Sequence, residues 1–136
     1  MKKILFVLLT VLLILSIFAN GCQLTRYEKY LARIEDMNIW ADESMPAQYF
    51  LYVMTFESGS CEVFYRYNMA RHGNTIRVEV FNLRYLDRLC LAAVDHAYLI
   101  IRLGNDFVPG ETYTVEVNDV TETFVAGEVS SDKGVG

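Results

Sequence analysis

The sequence is poor in the residue patterns from which most active sites are built. It has two histidines, His72 and His96, and neither lies in a motif with a nucleophile. The GxSxG pattern that surrounds the serine of many hydrolases is absent, and no CxxC spacing or histidine cluster indicates a metal site. We therefore predict that the chain is not an enzyme and holds neither a cofactor nor a metal ion.

The sequence also lacks an apolar run long enough to span a membrane, and it has no acidic residue before Glu28. Lysines at positions 2 and 3 precede the longest apolar stretch, Ile4 to Phe18, whereas a spanning helix needs about 20 apolar residues. A basic start, a short apolar centre and then small residues are typical of a secretory signal peptide. We predict that residues 1–21 are such a signal and are removed, with an uncleaved signal anchor as the alternative.

A cysteine follows the small residues at the end of this segment, in the order Ala19-Asn20-Gly21-Cys22. Residues 1–22 resemble the signal and lipobox of bacterial lipoproteins. The resemblance implies cleavage between Gly21 and Cys22 and a lipid joined to the Cys22 thiol. It also implies attachment to the cell membrane or outer membrane on the extracytoplasmic face, with residues 22–33 as the lipidated N-terminus and tether. An ordinary cleaved signal with a leftover cysteine is the alternative.

The chain has three cysteines, an odd number that leaves one thiol to explain in an exported protein. If lipid occupies Cys22, then Cys61 and Cys90 form an even pair in a compartment where disulfides persist. A bond between them would close a loop of about 30 residues and contribute roughly 3 to 4 kcal/mol in the chain-entropy treatment. We predict this disulfide, with two buried free cysteines as the alternative.

The charge balance argues against two classes of partner. Residues 1–21 contain two lysines and no acid, so the rest of the chain has 10 Lys and Arg against 17 Asp and Glu, a formal charge of −7. A chain this acidic is repelled by nucleic acid and by anionic bilayers. We predict no nucleic-acid partner, and we expect the lipid to hold the protein at a membrane, because two acyl chains suffice for stable attachment.

From Ile34 onward apolar and polar residues alternate with a period of two, and turn signals recur about every ten residues. Ile76, Val78 and Val80, for example, alternate with polar neighbours. The pattern predicts an all-β fold, an immunoglobulin-like antiparallel β-sandwich of about seven strands after an N-terminal signal helix. The predicted strands are 33–40, 48–56, 61–69, 74–82, 97–103, 112–118 and 121–127.

We predict one domain over residues 34–129, followed by a small and polar disordered tail at residues 130–136. In the tether before the domain, Tyr27, Leu31 and Ile34 have helical spacing, which is compatible with one or two helical turns.

Turn residues lie between several of the predicted strands, at His72-Gly73-Asn74, Pro109-Gly110 and Asn118-Asp119. The string at residues 109–118 (PGETYTVEVN) resembles the final hairpin of a group of small secreted bacterial proteins of unknown function. The match spans about residues 34 to 126. In that group an immunoglobulin-like sandwich carries two cysteines, so the resemblance implies the fold, export and a disulfide, and it supplies no reaction.

A few polar groups are candidates for chemistry, and each has a simpler interpretation. Asp95-His96 has the composition of a base and the group that orients it, but an exposed loop pair is the simpler interpretation. Ser58-Gly59-Ser60 is interpreted as a turn between two strands. Acids near two turns could attract calcium, but they lack the spacing of known calcium ligands, so we interpret them as solvated charge. These acids are Asp106, Glu111, Asp119 and Glu122.

The chain has nine Tyr, eight Phe and one Trp. Aromatic side chains offer large contact areas to partners, although core packing explains most of them more simply. Trp40 is predicted to be a core residue at a strand end. The aromatic residues that could line a recognition face are Phe50, Tyr52, Phe56, Phe64, Tyr65 and Tyr67.

Together these observations predict a lipid-anchored, disulfide-bonded β-sandwich that acts as a non-enzymatic binding or envelope-structural module. A protein or glycan ligand would meet loops at one end of the sandwich, where a rigid sheet positions variable segments. The candidate loops are 41–47, 57–60, 83–96 and 104–111. The alternatives are a protease inhibitor that presents one loop near the disulfide, an envelope hydrolase built around His96, and a sheet edge that accepts a partner's strand.

Overall fold

The computed structural model describes residues 1–4, 6–8, 10, 11 and 25–128. Residues 2–4, 6–8, 10 and 11 are helical, and no helix within the described part of the chain is long and apolar enough to cross a membrane. The predicted cleavage site at Gly21, the lipidation site at Cys22 and the tail at residues 130–136 lie outside the described residues.

Within residues 25–128, eight β-strands form two packed sheets, so the domain is a β-sandwich, as the alternating pattern predicted. In the first sheet β5 pairs with β1, β4 and β7, and β7 pairs with β8. In the second sheet β3 pairs with β2 and β6. The strands are β1 Tyr27–Leu31, β2 Arg33–Ala41, β3 Tyr49–Glu57, β4 Glu62–His72, β5 Thr75–Tyr85, β6 Asp95–Gly104, β7 Thr112–Val117 and β8 Val120–Val125.

One strand and one parallel pairing depart from the prediction. Residues Tyr27–Leu31 form β1, which pairs antiparallel with Phe81–Tyr85, so the helical turn considered for this segment is wrong. The folded domain therefore begins before residue 34, inside the stretch assigned to the tether. Only Tyr30 of β1 is even partly buried, so this strand has no alternating pattern by which a sequence could reveal it. The pairing of β5 with β7 is parallel, whereas the expectation was purely antiparallel.

The core lies between the two sheets and is built by alternation along the central strands. In β3 the residues Tyr49, Leu51, Val53, Thr55 and Glu57 are buried, and the residues between them are half-buried on the outer side. Each fully buried Val, Leu or Ile contributes roughly 1.5 to 3 kcal/mol. Strands β5 and β7 supply the facing apolar side chains, which are Ile76, Val78, Val80, Tyr113, Val115 and Val117.

Strand β4 carries a β-bulge that changes which residues face the core. Val63 pairs with Leu83, the register shifts between Phe64 and Arg66, and Tyr67 then pairs with Val80. Because one extra residue reverses the alternation, Val63 and Tyr67 lie on opposite faces of the sheet.

The turns that were predicted from glycine and asparagine residues are confirmed. Gly73 has φ 59° in the β4–β5 hairpin, and Gly110 has φ 84° after Pro109, with the Glu111 N–H donating to the Val108 carbonyl. Asn118 has φ 51° in the β7–β8 hairpin, a left-handed conformation that asparagine adopts more readily than most residues.

The Asn118 side chain also joins three strands. Strands β1 and β7 pair with successive segments of the same edge of β5. Neither strand pairs with Val80, which lies between the two paired segments. The Asn118 Oδ1 accepts a hydrogen bond from the Val80 N–H at 2.9 Å. Its Nδ2 donates to the carbonyls of Ala32 and Val80 at 2.6 and 3.0 Å. The amide thus supplies the partner of the Val80 N–H, while the Val80 carbonyl also accepts from the Ala32 N–H at 2.9 Å.

Candidate functional site

The connections between strands gather at two opposite ends of the sandwich. Ala41, Tyr49 and Gly104 are register neighbours at one end, and Glu57 and Asp95 are neighbours at the other. We name them the proline end, formed by residues 42–48 and 105–111, and the disulfide end, formed by residues 58–61 and 86–94. The four candidate loops are therefore divided between two ends, whereas the prediction placed a ligand at one end only.

The Cys61–Cys90 disulfide is present, with the two Cα atoms 5.3 Å apart and the two residues 29 positions apart in sequence. It fastens the connection between β5 and β6 to the start of β4, as predicted. Backbone contacts add to this attachment, because the Ser60 N–H donates to the Leu91 carbonyl at 3.1 Å and the Leu91 N–H donates to the Ser60 hydroxyl at 2.9 Å. The 58–60 segment therefore serves as a turn that holds this connection.

An ion pair between a buried glutamate and a half-exposed arginine lies beside the disulfide. The Glu62 carboxylate accepts hydrogen bonds from the Arg84 guanidinium and, at 2.7 Å, from the Ser58 N–H. Burial opposes ionisation of Glu62, but these hydrogen bonds outweigh it and lower its pKa to about 2. Burial and the Glu62 charge raise the pKa of Tyr30, which lies next to the pair. An open cleft of about 260 Å³ adjoins them, and it is lined by Ser58, Gly59, Cys61, Glu62, Arg84, Cys90, Leu91 and Ala92.

Glu57 differs from Glu62 although the two are near neighbours. Burial raises the pKa of Glu57, and the nearby charges of Asp95 and Glu62 raise it further. The two acids thus titrate in opposite directions from the ordinary value of a glutamate, because only Glu62 has a guanidinium partner. This pattern is that of a structural ion pair with an acidic neighbour.

The structure separates the residues that could have formed a catalytic or metal site. His96 packs edge-on against Phe56, and its backbone N–H donates to the Asp95 carboxylate at 2.8 Å. The cleft beside the disulfide is lined by other residues. Asp106 pairs with Arg71 at 2.9 Å, and Glu111 contacts Asn74 and the Tyr113 hydroxyl. Within the described ranges no group of three or more acids, histidines or cysteines is arranged to hold a metal ion.

The outer side of the three-stranded sheet is rich in aromatic side chains. Four rows cross β2, β3 and β6 on this side, in the order of the strand register. The rows are Trp40–Phe50–Arg102, Asn38–Tyr52–Ile100, Asp36–Met54–Tyr98 and Arg33–Phe56–His96. We call this surface the aromatic face.

Rings on the aromatic face contact one another along and across the strands. Trp40 stacks on Phe50 with ring centroids 4.3 Å apart, and Tyr52 lies parallel to Tyr98 at 6.3 Å. The guanidinium of Arg33 lies 5.0 Å from the Phe56 ring, within the range of a cation–π contact. Trp40 is at a strand end, as predicted, but it lies on the outer face, so its assignment to the core is wrong.

The structure keeps half of the predicted recognition residues together. Phe50, Tyr52 and Phe56 alternate on one face of β3, whereas Phe64 packs against the core and the remaining two tyrosines lie on β4. Sequence reasoning missed Tyr98 and Ile100, which are 65% and 67% exposed on β6. The signal was present in the alternation of Leu99, Ile101 and Leu103, because an apolar residue between inward-facing ones must point outward.

The fold and the disulfide define a class, that of small two-sheet β-sandwich domains with one internal bridge. The chain matches the family model of the ORF11 beta-sandwich domain over residues 53–126, and it belongs to this family. No solved structure matches the chain significantly.

Similar proteins come from Herpetosiphon aurantiacus. An uncharacterized 10.2 kDa protein in the HgiCIIM 5' region is 35% identical over 91 residues, which is 67% of this chain and 96% of that protein. A second, in the HgiBIM 5' region, is 33% identical over 81 residues, which is 60% of this chain and 98% of that protein. The names of these relatives state no activity.

Proposed function

We propose that the protein is an extracytoplasmic lipoprotein, anchored through Cys22, whose β-sandwich binds a partner protein through the aromatic face. The observation that carries the proposal is the aromatic face itself. Trp, Tyr, Phe, Met and Arg are the residue types enriched at the centres of protein interfaces, and this surface combines all of them.

The position of the first strand supports the anchor. Arg26 is already part of the folded domain, because its carbonyl accepts from the Leu86 N–H at 2.9 Å and its own N–H donates to the Asp87 carboxylate at 3.1 Å. Only three residues separate it from Cys22. An acyl chain on Cys22 would therefore hold the disulfide end close to the bilayer, with both long faces of the sandwich free to meet a partner.

The ring geometry favours a protein over a glycan. Sugar rings stack on an open aromatic face, but Trp40 and Phe50 each cover one face of the other at 4.3 Å. What the surface offers instead is a set of apolar side chains bordered by polar ones, with Asp36 and Asn38 on β2 and Arg102 on β6. An apolar centre with a polar rim is the arrangement of a protein interface.

The anchor is tested by growing cells with labelled palmitate. Label should be retained by the wild-type protein and lost from Cys22→Ser, and mass spectrometry of the mature N-terminus should find a lipid-modified Cys22. An unmodified full-length N-terminus would show that this part of the proposal is wrong.

The aromatic face is tested by placing a photo-crosslinking amino acid at Tyr98 in intact cells. We expect one discrete protein adduct, lost when Tyr52 on the neighbouring strand is changed to Ala. The matched control carries the crosslinker at Tyr65, which is exposed on β4 of the other sheet. Equal adducts at both positions, or none at Tyr98, would refute the assignment of the binding surface.

A further inference from the structure

We infer that the connection between β5 and β6 is a second membrane contact that inserts apolar side chains into the lipid bilayer beside the anchor. We call this segment, residues 86–94, the leucine loop. The inference rests on the proposed lipid anchor at Cys22, and it adds a surface that contributes to how the domain is held.

The leucine loop is apolar and yet exposed to solvent. Leu89 is fully exposed, and Leu91 and Val94 are 76% and 69% exposed. Leu86 is also exposed, so four large apolar side chains occur within nine residues. Soluble monomers rarely leave such a group in water, and a contiguous exposed apolar group marks a contact with a protein or a membrane.

The leucine loop is held in place at several points, so its exposure is built into the fold. Cys90 is bonded to Cys61 and Leu91 is hydrogen-bonded to Ser60 through both backbone groups. At the other end Leu86 and Asp87 bond to Arg26. Leu89 lies between these attachments. A segment fixed in this way loses little conformational entropy when its side chains enter another medium.

Chain length places the leucine loop next to the lipid. Four peptide units join Cys22 to Arg26, and a fully extended chain spans at most about 3.6 Å per residue, so the two Cα atoms are at most about 14 Å apart. Arg26 bonds directly to the loop. A diacylated Cys22 lies at the bilayer surface, so the Arg26 backbone that bonds to the loop is at most about 14 Å from the anchored residue.

The polar residues of the loop suit the headgroup region. Asp87 accepts from the Arg26 N–H and lies 3.9 Å from the Arg88 guanidinium, so the one acid between positions 86 and 94 is paired. Arg88 lies over the Tyr85 ring at 3.9 Å, a combination of cation and aromatic that resides well at a membrane interface. The acidic charge of the domain repels anionic lipid, so neutral zwitterionic lipid is the bilayer that this surface fits.

A protease cleft is the other occupant that a fixed, exposed leucine suggests. The short segment from Cys22 to Arg26 favours lipid. An enzyme would have to fit between the anchored Cys22 and Arg26, whose Cα atoms are at most about 14 Å apart. The proline end, which faces away from the anchor, carries the equally exposed Met45 and serves as the matched control.

The test uses tryptophan fluorescence in the lipidated protein. Leu89→Trp and Met45→Trp are each made in a Trp40→Phe background, purified from membranes, and reconstituted into phosphatidylcholine vesicles with brominated acyl chains. We expect the emission of Leu89→Trp to shift to the blue and to be quenched by the bromine, and the emission of Met45→Trp to change in neither respect. Circular dichroism confirms that both variants are folded.

The outcomes separate the two proposals. If palmitate is attached and the protein stays on the vesicles while Leu89→Trp is not quenched, the membrane contact is refuted and the anchor stands. If both tryptophans are quenched alike, the leucine loop contacts the bilayer no more than the proline end does, and the inference is refuted. If Cys22 carries no lipid, the anchor fails first, and the membrane contact that depends on it fails too. Inhibition of a protease by wild type that Leu89→Asp abolishes would assign the loop to an enzyme instead.

Discussion

Asn118 offers the sharpest test of how this sandwich holds together. Its side chain makes three hydrogen bonds to the backbone of Ala32 and Val80, at the point along the edge of β5 where both β1 and β7 end. Changing Asn118 to Gly keeps the left-handed backbone accessible and removes only these bonds. Changing it to Ala removes the bonds and also forces a Cβ into a conformation at φ 51°.

The magnitudes follow from the number of bonds. Each hydrogen bond contributes a net 0.5 to 1.5 kcal/mol, and the Val80 N–H would be left without its partner, so Asn118→Gly should cost about 2 to 4 kcal/mol. Asn118→Ala should cost about 1 kcal/mol more, because a left-handed residue with a Cβ is strained. For a domain of about 100 residues, 1 kcal/mol changes Tm by roughly 4 °C, so the Gly variant should melt roughly 8 to 16 °C lower.

Urea unfolding followed by circular dichroism measures both costs. The control is Asp119→Gly, an exposed neighbour in the same turn, which should change the free energy of unfolding by less than about 0.5 kcal/mol. If Asn118→Gly is as stable as wild type, or if the control loses as much, the amide does not replace a strand partner and the description of this edge is wrong.

The remaining predictions concern the disulfide end. Replacing Cys61 and Cys90 together by Ala should lower the free energy of unfolding by roughly 3 to 4 kcal/mol, because the bond closes a loop spanning 29 positions, and equal urea midpoints for the variant and wild type would contradict this. The pKa of Glu62 is depressed to about 2, so its contribution is present above the ordinary glutamate pKa and is lost as the pH falls from about 5 to 2. Unfolding across this range should show a loss of about 3 kcal/mol in wild type that is missing in Glu62→Gln. The pKa of Glu57 is raised, so ionisation of Glu57 destabilises the fold, and Glu57→Gln should be more stable than wild type at neutral pH and equal to it in acid; a Glu57→Gln curve parallel to wild type at every pH would count against the assignment.

The sequence predicts those parts of the fold in which alternation and turn chemistry agree. Ile76, Val78 and Val80 face inward as their spacing indicated, and Gly73 and Gly110 occupy the positive-φ positions that a tight turn requires. Every predicted strand is found within a few residues of its predicted bounds. These features depend on near neighbours in the chain, which is the information that a single sequence contains.

The missed features depend on distant residues. β1 is defined by hydrogen bonds to β5 some 55 positions away, and its own side chains are mostly exposed, so no local pattern marks it. The bulge near Tyr65 reverses the faces of β4 without leaving a Gly or Pro to indicate it. Trp40 lies outside the core because it pairs with Phe50, which is on the outer side of β3. Strand propensity does not determine this register.

Separation in sequence also explains why the four candidate loops lie at two ends of the sandwich rather than at one. The sequence shows four loops but not which end of the sandwich each one reaches, because that depends on the direction of every strand. The attachment of the leucine loop to Arg26 exists only through the register of β1. The cysteine pair, in contrast, followed from counting thiols, and it is confirmed.

The pairing of β5 with strands from both ends of the domain has a consequence for folding. One edge of β5 is completed by Tyr27–Leu31 and the other part of that edge by Thr112–Val117, so the first sheet cannot close until nearly the whole polypeptide is available. Contacts this distant in sequence lower the folding rate. A chain that lacks its last hairpin leaves part of the β5 edge without a partner, so the complete sandwich forms only when both ends of the domain are present.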